Sequence, residues 1–285
     1  MALLFSRDRI AVTVGSMGNK HLHHERREPL KIAILAGGLG TRLAEETDIK
    51  PKPMVEIGGY PILWHILKHF SHYGHNEFFI ALGYKGEEVK RYFLDRASLS
   101  GDMTLQLACG QVKRNGGEIE DWLLHLVDTG SDTLTGGRVK LLEPSLRKQT
   151  FIVTYGDGVS NVDLDALVAF HRSCGRLATV TAVRPPARFG GLVLDGDLVS
   201  HFTEKPQMGE GWINGGFIVM EPEIFDHFLT DNCSLEADLL ERLSAEGQLA
   251  AYRHQGFWQC MDTLRDKRLL ESLWQQNNAP WMVHV

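Results

Sequence analysis

Four places in this chain carry residues that could work on a phosphate. A short apolar run, "KIAILA" at 31–36, stops at Gly37 and is followed by Gly38, Gly40, Thr41 and Arg42. Glycine lets a backbone approach a ligand closely, and N–H groups pointing out of a strand end can cradle an anion. Thr41 and Arg42 would add donors; a tight strand-to-helix turn with no ligand would use the same glycines. Lys52 stands between Pro51 and Pro53, which stiffen the chain on both sides. A cation held that way can face a triphosphate without first losing its freedom, although a surface lysine in a proline turn reads identically.

Asp157 follows the β-prone run "FIVTY" (151–155), between Gly156 and Gly158. It is either an ordinary turn aspartate or a ligand for a hard cation at the carboxyl edge of a strand. Mg²⁺ takes oxygen ligands and commonly only one or two protein carboxylates, so a second acid would come from elsewhere. Asp262 in "CMDTLRDK" is the candidate. Because it precedes Thr263, the expected helix N-cap, with Asp266 three residues on, helix-start electrostatics is the competing account.

Other acid and histidine patterns have simpler explanations. Asp163-Leu-Asp165 and Asp195-Gly-Asp197 both spell DxD, but the first opens a helical pattern and the second is a turn between two strand patterns. His65, His69 and His72 fall at helical spacing beside an apolar stripe, which predicts the solvated side of that helix. A P-loop would need GxxxxGK[ST], which is absent. A dinucleotide fingerprint would need glycine at position 43, where Leu43 stands, and an acid about 20 residues on, where "PKPMVEIGG" runs.

The elements that must position these groups alternate. Strands are expected at 31–36, 78–82, 151–155 and 177–183, and helices over 62–72, from Gly86, and over 161–174, where Val162, Leu164, Leu167, Val168 and His171 are helically spaced before Gly175. Residues 191–204 read as a hairpin around Asp195-Gly-Asp197. The last third adds helices opened by Ser234 and Thr263 as caps. This order predicts an α/β fold: a Rossmann-like, doubly wound, mixed but mostly parallel sheet with a small antiparallel annex at about 185–260. Residues 1–29 carry no apolar periodicity and are expected to be a mobile arm.

The bulk properties set bounds. With 285 residues, 43% of them hydrophobic, a large core is available. A net charge of −6 argues against a protein that binds nucleic acid through its overall field, so an anionic ligand must be met by local cations. The four cysteines form no CxxC pair, which suits free thiols in a cytoplasm. No stretch suits a bilayer span or a secretory signal.

"LAGGLGTRL" with "KPKPMVEIGG" resembles the signature of the sugar-1-phosphate nucleotidylyltransferase family. The likeness continues through "VDTG", "TGGR", "TYGDGV", "RFGGLVL", "EKP", "INGGF" and "GFWQCMDTLRDK", from about residue 30 to 281. "VDTG…TGGR" with "GFWQCMDTLRD" resembles the branch that uses CTP and α-D-glucose 1-phosphate. Residues 30–285 would then be one nucleotidyltransferase domain, joining those substrates into CDP-glucose and pyrophosphate, a product used in deoxysugar and O-antigen polysaccharide biosynthesis.

The resemblance implies a nucleotide site of Leu35, Ala36, Gly37, Gly38, Leu39, Gly40, Thr41, Arg42, Lys52 and Gly156. Thr133 and Arg138 would join it from a loop that closes over the base, made mobile by its glycines. Glu204, Lys205, Asn214 and Gly215 would bind the sugar phosphate. Arg42, Lys52 and Asp157 would be catalytic, and Asp157 and Asp262 would hold Mg²⁺. It also implies a homo-oligomer, as in hexameric relatives, with no nucleic-acid or membrane partner. Two features depart from the pattern: the long arm, and Cys260 where proline is usual. The same chemistry with UTP or dTTP, and a catalytically silent nucleotide-sugar sensor, stay open at this point.

Overall fold

The computed structural model describes residues 29–38, 50–117, 119–185, 191–195, 198–203, 211–228 and 230–282. Leu39, Gly40, Thr41, Arg42, Glu204 and Lys205, and the arm up to residue 28, lie outside the described residues. In chain order the strands are β1 (Lys31–Ala36), β2 (Glu56–Ile57), β3 (Tyr60–Pro61), β4 (Glu77–Leu82), β5 (Asp102–Gln106), β6 (Gln111–Asn115), β7 (Leu123–Asp128) and β8 (Phe151–Tyr155). They continue as β9 (Gly158–Ser160), β10 (Ala178–Val183), β11 (Gly191–Asp195), β12 (Leu198–Thr203), β13 (Ile213–Asn214), β14 (Ile218–Met220), β15 (Leu249–Arg253) and β16 (Trp258–Cys260).

The central sheet has a parallel half, β7-β4-β1-β8, in which Ile34 lies between Ile80 and Thr154. β14 pairs antiparallel with β8 and with β10. β13 shares that edge of β10, while β15 runs parallel along the other. The mixed, mostly parallel Rossmann-like sheet expected from the sequence is what forms. β1, β4 and β8 read as largely apolar runs because both their faces are covered. Along β1, Ile32, Ile34 and Ala36 enter one core with the helices Ile62–His72 and Leu164–Cys174, while Ala33 and Leu35 enter another with Thr135–Leu141 and Leu235–Leu240. β13, β14 and β15 extend the main sheet, and the β11–β12 hairpin forms a two-stranded sheet of its own.

Two expectations are corrected. The histidine face of Ile62–His72 is not solvated: His65 and His69 are 1% and 4% exposed, and only His72 reaches the surface. The helix is covered on both sides, by the sheet and by the C-terminal segment. Trp281 Nε1 donates to His65 Nδ1 at 3.3 Å, so Nε2 carries the proton that faces the Ile57 carbonyl at 2.9 Å. Burial pushes the His65 pKa down to about 4 and keeps this tautomer neutral. Second, the glycines of "TGGR", expected in a loop carrying Thr133 and Arg138, lie in a helix, Thr135–Leu141. Between β4 and that helix run the expected helix from Gly86, the β5–β6 hairpin and β7. Gly136 and Gly137 sit in Thr135–Leu141 because it packs closely on 231–235: a Cβ on Gly136 would stand 2.8 Å from the Cys233 carbonyl, and one on Gly137 2.8 Å from that of Asp231.

Candidate active site

β1 and β8 are neighbours, so their carboxyl ends open into one crevice, the usual place for a ligand in such a sheet. Gly156 N donates to Leu35 O at 2.9 Å and fixes the two exits side by side. A cavity of about 730 Å³ lies there. Its floor is Leu35, Ala36, Gly37, Gly38 and Gly156, and one flank is Lys52, Pro53, Asp157 and Asp262. The other flank combines residues 131–135 and Arg138 with Tyr155, Ser234 and Glu236.

The lysine's placement follows from its prolines. Lys52–Met54 is a single 3-10 turn closed by Met54 N to Pro51 O at 2.8 Å, with Pro53 and Met54 buried as its anchor. The Lys52 ammonium donates to Asp157 Oδ2 at 2.6 Å and also to Asp262 Oδ1. Burial by itself would lower the Lys52 pKa; the two carboxylates, Asp157 foremost, outweigh it and hold the group above the ordinary lysine value.

The two acids lie 105 positions apart in the chain and are joined by a short ribbon. β9 pairs antiparallel with β16, setting Gly158 opposite Cys260, and Met261 N donates to Asp157 O at 2.8 Å. Asp262 therefore leaves β16 where Asp157 enters β9. Helix-start work is done by others: Thr263 caps Leu264–Gln275 in a capping box with Asp266, whose Oδ2 also accepts the Asp262 N–H at 3.1 Å. The Asp262 carboxylate turns instead toward Lys52. Cys260 Sγ lies 3.7 Å from Asp262 Oδ2, and burial with the nearby Asp262, Asp157 and Asp266 charges pushes the thiol up to about 12, so it stays protonated.

These two carboxylates suit a hard divalent cation that takes its remaining ligands from water and phosphate. Among the described residues no group of three or more His, Cys, Asp or Glu could hold a metal. The Lys52 ammonium already rests between the oxygens as a stand-in cation. Asp163, by contrast, caps Leu164–Cys174 by accepting from Ala166 N at 2.9 Å, as its position in the sequence implied.

The rest of the expected nucleotide and sugar residues divide by geometry. Thr133 and Arg138 line the cavity. Arg138 is 4% exposed and both terminal guanidinium nitrogens are engaged: they donate to Leu82 O, Thr129 Oγ1 and Gly130 O at 3.0, 2.6 and 2.9 Å, and to Gly37 O and Ser131 O at 3.1 and 3.3 Å. A side chain on Gly37 would overlap this guanidinium, which explains that glycine without a ligand. Asn214 and Gly215 are not among the residues lining the cavity; Asn214 is exposed and Gly215 buried. Asn214 Nδ2 donates to the Tyr155 hydroxyl at 3.3 Å, and the Gly215 carbonyl accepts from Trp258 Nε1 at 2.8 Å.

Sequence reasoning missed Tyr155, Thr135, Ser234 and Glu236. The Glu236 carboxylate accepts from the Tyr155 and Thr135 hydroxyls at 2.6 and 2.7 Å and from Ser234 at 3.0 Å. Burial would raise its pKa, but these hydroxyls pull it below the ordinary value. The available signal was the hydroxyl ending the apolar run "FIVTY" and an acid two residues after a capping serine.

A model of the nucleotidyl transferase family matches residues 31–266. The chain is 47% identical to a glucose-1-phosphate cytidylyltransferase of Salmonella typhi, over 88% of this chain and 98% of that protein. It is 42% identical to a probable glucose-1-phosphate cytidylyltransferase of Bacillus subtilis, over 89% of this chain and all of that one. Among solved structures, HddC from Yersinia pseudotuberculosis shares the fold with a TM-score of 0.61 at 23% identity, over 86% of this chain and 99% of that one. The family model over residues 31–266 and the near full-length likeness to these two relatives place the chain in the nucleotidyl transferase family, among the glucose-1-phosphate cytidylyltransferases.

Proposed function

We propose that this chain transfers the cytidylyl group of CTP to α-D-glucose 1-phosphate, giving CDP-glucose and pyrophosphate. The observation that carries this is the near full-length 47% identity to a glucose-1-phosphate cytidylyltransferase. The cavity's chemistry agrees, with backbone glycines, one clamped lysine and two acids at the carboxyl ends of adjacent strands.

In this reading a phosphate oxygen of the sugar phosphate attacks the α-phosphorus in line, and pyrophosphate leaves from the opposite side. The attacking oxygen is anionic at neutral pH, so no general base is needed, and positioning with charge stabilisation supplies the rate. Lys52 meets the charge at the α-phosphate. Arg42 and the amides of Gly37, Gly38, Leu39 and Gly40, with Thr41, hold the β- and γ-phosphates. Leu35, Ala36, Gly156 and Thr133 shape the nucleoside side. Arg138 contributes by fixing Gly37 and residues 129–131. Lys205 and Glu204, with Asn214 and Gly215, orient the sugar phosphate.

Asp157 and Asp262 would hold Mg²⁺, which when bound neutralises charge building on the pyrophosphate. Residues 30–285 act as one catalytic domain with a sugar-binding annex at about 185–260, and 1–29 as an arm. Among the described residues no helix is long and apolar enough to cross a membrane. A cytoplasmic homo-oligomer, a hexamer as the family resemblance implies, serving deoxysugar or O-antigen synthesis completes the proposal. The test is release of pyrophosphate from CTP, UTP and dTTP with glucose 1-phosphate. CTP is expected to be much the fastest; equal rates with dTTP would overturn the choice of base and leave the reaction class standing.

A further inference from the structure

Lys52 is bound in the structure to the two groups that the proposed reaction gives to a metal. Its ammonium donates to Asp157 Oδ2 at 2.6 Å and to Asp262 Oδ1, with only 13% of the lysine side chain exposed. The turn beneath it is closed by a 2.8 Å backbone bond and anchored by buried Pro53 and Met54, so its stem starts from a fixed point beside both acids. One monovalent cation thus offsets two carboxylates. A divalent ion entering between them would meet the ammonium at contact distance, in a partly desolvated corner where like charges repel strongly. The repulsion ends only if the ammonium finds another anion, and a nucleotide's phosphates are that anion.

We infer that Lys52 is the resident counter-ion of the metal site: without nucleotide it keeps the Asp157–Asp262 pair closed to divalent cations, and nucleotide opens the pair by taking the ammonium onto its phosphates. Metal and nucleotide are therefore taken up together. The free protein keeps the two acids from repelling one another and keeps stray divalent cations out. This inference rests on the reading of Asp157 and Asp262 as the metal's ligands.

The experiment measures Mn²⁺ uptake by the full chain without nucleotide, by the loss of the free-ion electron paramagnetic resonance signal. Melting temperature with and without Mn²⁺ is the second readout, since a ligand that binds only the folded state raises it. Wild type should bind Mn²⁺ weakly and melt unchanged. Lys52→Gln should bind it more tightly, by a factor within the usual coupling range of about 5–150, and gain melting temperature with Mn²⁺. Lys52→Met repeats the test without leaving a polar amide, and Lys52→Arg, which keeps the charge, should behave as wild type. Equal Mn²⁺ affinity in wild type, Lys52→Gln and Lys52→Met would overturn the counter-ion role. If Lys52→Gln tightened binding but the Lys52→Gln, Asp262→Asn double variant bound Mn²⁺ equally well, the acids would not be the ligands, and the underlying reading would fail with the inference.

Discussion

Two cations border the same cavity and are held in opposite ways. Lys52 is bonded to two carboxylates, each of which a metal could take over once a phosphate takes the lysine. Arg138 is bonded to four backbone carbonyls and one hydroxyl gathered from β4, Gly37 and residues 129–131. Carbonyls carry no net charge to trade, and they belong to segments that would lose their spacing without the guanidinium. A side chain whose partners are ionised and exchangeable is suited to chemistry; one whose partners are backbone is suited to holding a shape. The type and motif context of the residue do not separate the two cases, because both cations sit in stretches that resemble ligand-binding motifs.

The acid side of the lysine corner should give the largest effect. Asp157→Asn and Asp262→Asn keep the size and remove one charge from the pair. Each is expected to lower turnover by on the order of 10²–10³, roughly 3–4 kcal/mol of transition-state stabilisation, with little change in melting temperature because Lys52 keeps its other carboxylate. Steady-state kinetics with calorimetry checks this. Normal turnover in Asp262→Asn would remove Asp262 from the site.

Arg138→Met should do the reverse. Several buried acceptors would lose their donors at once, and the expected cost is roughly 2–4 kcal/mol of folding stability, read from denaturant unfolding. An unchanged midpoint together with a raised KM for the nucleotide would show that Arg138 reaches for ligand after all and would erase the contrast with Lys52.

Gly136→Ala tests the frame that carries Arg138. The new Cβ would meet the Cys233 carbonyl at 2.8 Å, and backbone atoms cannot swing aside. A loss of about 1–3 kcal/mol, typical of overpacking, is expected. A neutral result would mean that the helix Thr135–Leu141 can move away from 231–235, restoring the sequence reading of these glycines as a sign of mobility.

That misreading shows where sequence reasoning stops. β1, β4, β8 and the helix Ile62–His72 were legible because burial on two faces, or a long apolar stripe, writes a strong pattern. Asp157 was legible as the acid ending such a strand. Asp262 was ambiguous until the pairing of β9 with β16 showed which acid faces Lys52 and which caps the helix. The Gly136–Gly137 pair fits a flexible loop and a close helix contact equally well, and only the opposing Cys233 and Asp231 carbonyls decide. His65 looked solvated because its cover includes Trp274 and Trp281 of the C-terminal segment, the latter 216 positions away. Glu236 stayed hidden for a similar reason: its partners Tyr155 and Thr135 lie 81 and 101 positions off.

The smallest effect sharpens the comparison by separating an acid that only builds structure from those at the site. Asp163 and Asp262 both precede or open a helix, and both belong to motifs that can bind metal. In the structure Asp163 Oδ1 accepts from Ala166 N at 2.9 Å, which satisfies one of the N–H groups left over at the start of Leu164–Cys174. Asp163→Ala should cost about 1 kcal/mol, the usual value of an N-cap, and Asp163→Ser should restore most of it, because a hydroxyl accepts the same bond. Turnover and Mn²⁺ dependence should match wild type in both variants. The loss in Asp262→Asn should be of activity, since Thr263 and Asp266 continue to cap Leu264–Gln275. If Asp163→Ser recovered stability but left turnover impaired at low Mn²⁺, the DxD at 163–165 would have a part in metal binding, and the assignment of the site to Asp157 and Asp262 alone would have to be widened.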